Sequence, residues 1–338
     1  MAEEQIALDD LMLVDGALFH GRKGEACDWP RPLAPLADTH GHLTSFRAHD
    51  PAMALVRAAL AGVRLLVVPV DPVGDIPRKW ESVPAFLSWL EGQIDLARVC
   101  LAEAREMGLE PPAFEGWDAP ALLDNVRIVA GVHPYGSAEV DDAAIERLRE
   151  LLASPRAVGV GEFGLDYGPY NKVAPDVQEA AFRRQLRVAH ELGLPVELHI
   201  RDAAVDVRAN AHRLAARVLR EEGVPGSGCD LHCFTSDLKV MEDFTRLGCH
   251  VAFGGALTFT RSDDIREAAT YCPERYLLTE TDSPYMAPVP LRGEECEPAM
   301  VAFTAACVAD VREAAGRGSR EATYRALWEN ACAFFGLS

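Results

Sequence analysis

The chain has 338 residues, 49% hydrophobic and 25% charged, enough for one large α/β barrel or two smaller domains. It carries 33 Lys and Arg against 52 Asp and Glu, a formal net charge of −19, so its overall field repels polyanions. Any phosphate group must therefore be held locally, by metal ions or a few arginines.

Residues 1–35 form a preface of acidic start, apolar segment over 11–18 and a Gly- and Pro-containing loop. The opening Met1-Ala2-Glu3-Glu4 has neither the basic nor the apolar region of a secretory signal. Nowhere does the chain approach the roughly 18 uninterrupted apolar residues a membrane span requires. Nine cysteines, an odd count without a Cys-x-x-Cys pair, fit reduced thiols in a cytoplasm.

From Leu36 a rhythm begins. Strands are expected near 36–42, 63–70, 126–132, 156–162, 195–200, 228–233, 248–254 and 275–281. Helices are expected near 51–61, 77–107, 141–153, 176–192, 203–222, 237–247 and 262–271, with more at 298–314 and 319–334. The run Val63-Arg64-Leu65-Leu66-Val67-Val68 is nearly continuous in apolar character, as a strand buried on both faces should be. Asp176 is expected to cap the helix that follows it, and Gly193 and Pro195 to end that helix.

Eight strands alternating with helices is the count for a (β/α)8 barrel, with a doubly wound open sheet as the alternative. From Trp80 through Val83, Phe86, Leu90, Ile94, Ala97 and Leu101, apolar residues recur every three or four positions in one helical stripe. The expected organisation is an N-terminal extension over 1–35 and a barrel over 36–338, with a helical insertion over about 75–125 between strands two and three.

The strand ends carry the chemistry. His40 and His42 close the first strand, and two side chains at i and i+2 of an extended segment share a side. Glu162 ends the fourth strand, His199 the fifth and His232 the sixth, and Asp282 follows the eighth. Active sites of such barrels form at the C-terminal face from the ends of several strands, so four histidines and two carboxylates converge on one mouth. Neutral imidazole and carboxylate bind zinc well, and mixed N/O sets also suit manganese. Six ligands exceed what one tetrahedral ion with an open position needs, but suffice for two ions sharing a carboxylate.

Other signals point less far. Gly159-Val160-Gly161-Glu162-Phe163-Gly164 matches G-x-G-x-x-G after a strand, but Leu165-Asp166-Tyr167-Gly168-Pro169 follows as a loop where a dinucleotide site requires a helix. Cys229 and Cys233 flank His232 but read as small buried residues on and after a strand. His133 ends the third strand at the same rim, to touch substrate or cap the turn. Arg201 can meet an anionic group, or pair with Asp202 or Asp166. His20, His49, His190, His212 and His250, in helices, loops or mid-strand, read as structural.

Taken in order, Asp-Thr-His-Gly-His-Leu (38–43), Gly-Val-His-Pro (131–134), Gly-Glu-Phe-Gly-Leu-Asp-Tyr (161–167), Leu-Pro-Val-Glu-Leu-His-Ile-Arg-Asp-Ala (194–203), His-Cys-Phe-Thr (232–235) and Glu-Thr-Asp-Ser-Pro-Tyr (280–285) resemble the TatD-type metal-dependent hydrolases, often described as deoxyribonucleases. The resemblance covers about residue 36 to the C-terminus. It implies a TIM barrel with a binuclear site, one ion on His40, His42, Glu162 and Asp282, the other on Glu162, His199 and His232. It also implies phosphodiester hydrolysis, with His133 and Arg201 near the phosphate. Cys296-Glu297-Pro298 stands where the family usually carries Asn-Glu-Pro, and Ser236 where a glycine often follows.

The expected function is a metal-dependent hydrolase acting on DNA ends or small phosphodiesters through a metal-bridged hydroxide, with Glu162 and Asp282 catalytic. Two divalent ions (zinc, manganese or magnesium) are the expected cofactors. The alternative keeps the metals but changes the bond to an amide, lactone or other small carbonyl substrate.

Overall fold

The computed structural model describes residues 11–204, 206 and 208–337. The acidic start of the preface lies outside these residues. Helix α1 (Leu11–Asp15) and a two-stranded antiparallel ribbon, β1 (Phe19–His20) with β2 (Ala26–Cys27), precede the repeating part of the chain. Phe19 is buried edge-on against Trp29 and Phe303, so the described part of the preface packs onto the main core.

Eight parallel strands then follow in sequential order: β3 (Leu36–Asp38), β4 (Val63–Val70), β5 (Val126–Ala130), β6 (Ala157–Asp166), β7 (Val196–Arg201), β8 (Cys229–Leu231), β9 (His250–Phe253) and β10 (Leu277–Thr279). The ring closes where Thr39 N–H donates to the Thr279 carbonyl at 3.1 Å and Gly41 bridges Ser283. This is the (β/α)8 barrel, not the open sheet. Helices α2 (Pro51–Ala61), α3 (Val83–Glu106), α4 (Asp142–Leu152), α5 (Pro175–Leu192), α6 (Asn210–Glu222), α7 (Leu238–Thr245) and α8 (Asp263–Tyr271) connect the strands. Helices α9 (Val301–Ala314) and α10 (Arg320–Phe334) complete the chain.

Alternation along the strands divides the apolar residues. On β4, Leu66, Val68 and Val70 pack outward among the helices, while Leu65 and Val67 join Ala37, Val129, Val158, Ala252 and Leu278 inside the ring. Trp328, Ala331 and Phe334 of α10 belong to that inner cluster, and Asn330 Nδ2 donates to the Leu277 carbonyl where β10 begins. The last helix therefore plugs the N-terminal end of the barrel, leaving the C-terminal end open.

Local chemistry accounts for the boundaries. Pro51 starts α2, Asp50 accepts hydrogen bonds from Ala52 N and Met53 N, and Gly62 ends the helix at φ 94°. Asp176 does not cap α5: Ala174 is the N-cap, Pro175 opens the helix, and Asp176 sits in the first turn, where its charge suits the helix N-terminus. Helix α6 begins at Asn210 rather than near 203, because carboxylates tie the preceding backbone into a loop. Asp206 accepts from Arg208 N and Asn210 N, and Asp202 from Ala211 N. Regular pairing of the first strand stops at Asp38 rather than 42. There the carboxylate takes the N–H groups of Thr281 and His40 and holds the next turn against the eighth strand.

The Glu297 of the Cys-Glu-Pro segment is structural. Its carboxylate meets the Arg57 guanidinium of α2 at 2.7 Å through both Nε and Nη2, and both side chains are buried. Glu297→Ala removes a buried carboxylate partner of the Arg57 guanidinium and is expected to lower unfolding free energy by about 3–5 kcal/mol. Urea unfolding followed by circular dichroism checks this; a change within about 1 kcal/mol would contradict the assignment.

Candidate metal centre

The proposed ligands reach the open end of the ring from five strands, Glu162 within β6, His199 within β7 and the other four just past the ends of β3, β8 and β10, and the structure brings all six together. His40 Nε2 and His42 Nε2 lie 3.1 Å apart, so the i, i+2 pair does share a side. Glu162 Oε2 is 3.6 Å from each of these nitrogens, and Asp282 Oδ1 is 3.8 and 3.7 Å away. On the other side, Glu162 Oε1 lies 2.8 Å from His199 Nδ1 and 3.2 Å from His232 Nε2, and those two nitrogens are 3.1 Å apart. Glu162 thus divides its two oxygens between two groups of imidazoles. His40, Glu162 and His232 are buried, and of the six all but His40 line the cavity.

The outward nitrogens of three of these rings face carboxylates. His40 Nδ1 hydrogen-bonds Glu197 Oε1, His199 Nε2 meets Asp166 Oδ2 at 3.1 Å, and His232 Nδ1 faces Glu280 Oε1 at 3.7 Å. With the shared protons on those nitrogens, the opposite ring nitrogens present lone pairs to one another and to Glu162. Lone pairs so gathered repel unless a cation lies among them, which is the fit expected of metal ligands oriented by outer carboxylates. This chain's donors suit divalent ions.

Electrostatics agree. Burial alone would raise Glu162, but the His232, His133 and His199 imidazoles outweigh it and hold the carboxyl well below its usual range. Burial lowers His40 strongly, so its ring is neutral and able to ligate. Burial opposes charge on His199 and His232 too, yet Asp166, Glu162 and Glu280 raise both; a metal ion would compete with those protons.

Sequence reasoning missed the layer beneath. Glu197, Asp230 and Glu280 are buried two residues before His199, His232 and Asp282, the spacing that puts each one layer deeper on the same inner face. Burial pushes Glu197 and Glu280 up to about 8 and Asp230 well above its ordinary value. Neither oxygen of Asp230 has a hydrogen-bond partner among the described residues. Such a layer is best neutralised by positive charge just above it. The repeated carboxylate-x-ligand spacing was the available signal. Gly161 makes room, since a Cβ there would lie 2.6 Å from Glu197 Cβ.

His133 sits at the rim, Nε2 3.5 Å from Glu162 Oε1, while its Nδ1 accepts from Tyr135 N–H, so it both caps the turn and faces the centre. Arg201 lines the cavity 4.0 Å from Asp166. The glycine-rich decoy lies inside β6 with no helix until Pro175. Cys229 is buried in the outer core, and neither it nor Cys233 joins the metal-binding groups found among the described residues. His20 pairs with Asp15, His49 with Arg57, His190 with the Gly223 carbonyl and His212 with Asp202. His250 opens β9 rather than standing mid-strand, packed on Phe334.

If Glu197 orients His40, Glu197→Gln should weaken metal affinity by about 10–100-fold without unfolding the chain. Titration against a competing chelator measures this; unchanged affinity would contradict the role.

The sequence profile described as "TatD related DNase" matches residues 37–336. The uncharacterized metal-dependent hydrolase YcfH of Escherichia coli K12 is 40% identical over 206 residues, 60% of this chain and 72% of that protein. The 3'-5' ssDNA/RNA exonuclease TatD of Escherichia fergusonii is 38% identical over 162 residues, 47% of this chain and 58% of that protein. The crystal structure of YJJV, a TatD homologue from E. coli K12, superposes with TM-score 0.68 at 23% identity, covering 90% of this chain and 100% of that one, a likeness of fold. The profile match spans the whole barrel and all six mouth residues, and the chain belongs to the TatD-related DNase family of metal-dependent hydrolases.

Proposed function

We propose that the chain hydrolyses phosphodiester bonds at single-stranded DNA ends or in short nucleotides, using two divalent ions at the barrel mouth. His40, His42, Glu162 and Asp282 would hold one ion, and Glu162, His199 and His232 the other. The observation that carries this reading is the division of Glu162, with Oε2 3.6 Å from the His40 and His42 nitrogens and Oε1 2.8 and 3.2 Å from those of His199 and His232. Four imidazoles favour zinc or manganese over magnesium, which prefers oxygen donors. When bound, such a pair supplies positive charge for the developing phosphorane oxygens and makes water acidic enough to ionise near neutral pH.

The chain's own residues supply orientation and proton transfer. Asp282, partly open to the cavity, is placed to orient the attacking water and take its proton. Because Nδ1 of His133 accepts the Tyr135 amide, its proton lies on Nε2, which donates toward the phosphate. Burial holds His133 down to about 3, so it acts as a neutral donor and leaves formal charge to Arg201. The cavity, about 820 Å³, is of a size that encloses a small ligand and admits a strand end better than a continuous duplex. The printed activity of the E. fergusonii relative, 3'-5' exonuclease on ssDNA and RNA, supports the same substrate class.

The preface over 1–35 is proposed as an addition to the common barrel, and the segment over about 75–125 as an insertion that enlarges the β4–β5 connection around α3. A cytoplasmic location is proposed from nine cysteines that are all free thiols. Among the described residues, no helix is long and apolar enough to cross a membrane.

Chelation should abolish cleavage of single-stranded DNA, with zinc or manganese restoring it. Asp282→Asn should lower kcat by about 100-fold or more with a small change in KM. Wild-type kcat in that variant, or activity confined to lactones and amides, would overturn the reading.

A further inference from the structure

The barrel mouth carries three aromatic side chains that the metal centre does not use. Tyr135, Tyr170 and Tyr285 line the cavity yet are 47%, 76% and 55% exposed. They come from loops after β5, β6 and β10 respectively. In a ring of eight strands taken in order, β5 and β6 adjoin, and β10 lies across from β6. The tyrosines therefore stand on opposite sides of the six-residue cluster.

Two of them touch it through a single ring. Tyr135 meets His133 edge-on with centroids 4.4 Å apart, and Tyr285 meets His42 edge-on at 6.3 Å. A group bound beside Glu162 would have an aromatic ring one side chain away in each direction, about the reach from a backbone phosphate to its base. The same cavity carries cations, set beside carboxylates of its wall. Arg201, about half exposed, lines the cavity, as does Lys79, whose ammonium lies 2.9 Å from Asp75.

We infer that these tyrosines form a base-stacking clamp for single-stranded nucleic acid. Tyr285 takes the base on one side of the cut phosphodiester, Tyr135 and Tyr170 take the base on the other, and Arg201 and Lys79 face the flanking phosphates. Stacking uses the π-face that every base has, so the clamp tolerates any sequence. It excludes paired bases, whose faces are already covered by their neighbours in the duplex. The inference rests on the phosphodiesterase reading and goes beyond it by naming what recognises the strand.

The test compares a short single-stranded oligonucleotide with a strand of equal length carrying abasic spacers near the cut end, using metal-loaded enzyme. Wild type should show a KM about tenfold lower for the strand with bases. Tyr285→Ala and Tyr170→Ala should each pull that ratio toward one, and Tyr285→Phe should keep it. Tyr271→Ala, a tyrosine on α8 stacked with Arg317, should keep it as well. Equal KM for both strands in wild type, or a ratio unmoved by both alanine variants, overturns the clamp while strand cleavage stands. Cleavage of bis(4-nitrophenyl) phosphate but of no oligonucleotide overturns the clamp and the polynucleotide reading together.

Discussion

One carboxylate divided between two imidazole groups is the interaction on which the rest of the mouth depends. Glu162 lies within 3.6 Å of five histidine nitrogens contributed by four separate stretches of chain, four of them from the proposed ligands and the fifth from His133. It can do so only because closure of the ring, through Thr39 with Thr279 and Gly41 with Ser283, carries the first strand's histidines next to the eighth strand and within reach of the fourth. An open sheet would leave His40 and His42 at one edge, far from Asp282. The barrel is thus a device for bringing sequence-distant donors to one point, and its apolar inner cluster with the α10 plug keeps that point from collapsing.

Below this point the interior turns polar in a way that apolar packing alone would not produce. Glu197, Asp230 and Glu280 are buried where Leu or Val would pack better. Their burial makes sense as support: two of them face the outer nitrogens of His40 and His232 and fix which ring nitrogen points into the centre. Binding strength, ring orientation and charge balance are then one problem solved by one layer. Local instability at the centre is accepted because function requires it.

Much of this was legible in the residues. Strands buried on both faces announced themselves as continuous apolar runs, and α2 was bounded by Asp50-Pro51 and Gly62, signals with direct physical meaning. The six mouth residues were legible because strand ends in a barrel share one rim. What was missed depends on three dimensions. Asp176 had the right type for a cap, but Pro175 took the first helical position and moved the cap to Ala174. Asp202 and Asp206 unwound the expected start of α6 by binding backbone N–H groups, a competition between side chain and helix that periodicity cannot weigh. The supporting carboxylates were overlooked because a Glu or Asp inside an apolar strand reads as a solvated residue until the ring is known to be closed.

Counting metal per chain tests the account most directly. Elemental analysis of the chain, after saturation with zinc and removal of free ion, should find about two ions per molecule, and Glu162→Ala should lose both because each ion depends on one of its oxygens. One ion in the wild type, or a Glu162→Ala chain that retains two, would contradict the shared-carboxylate centre.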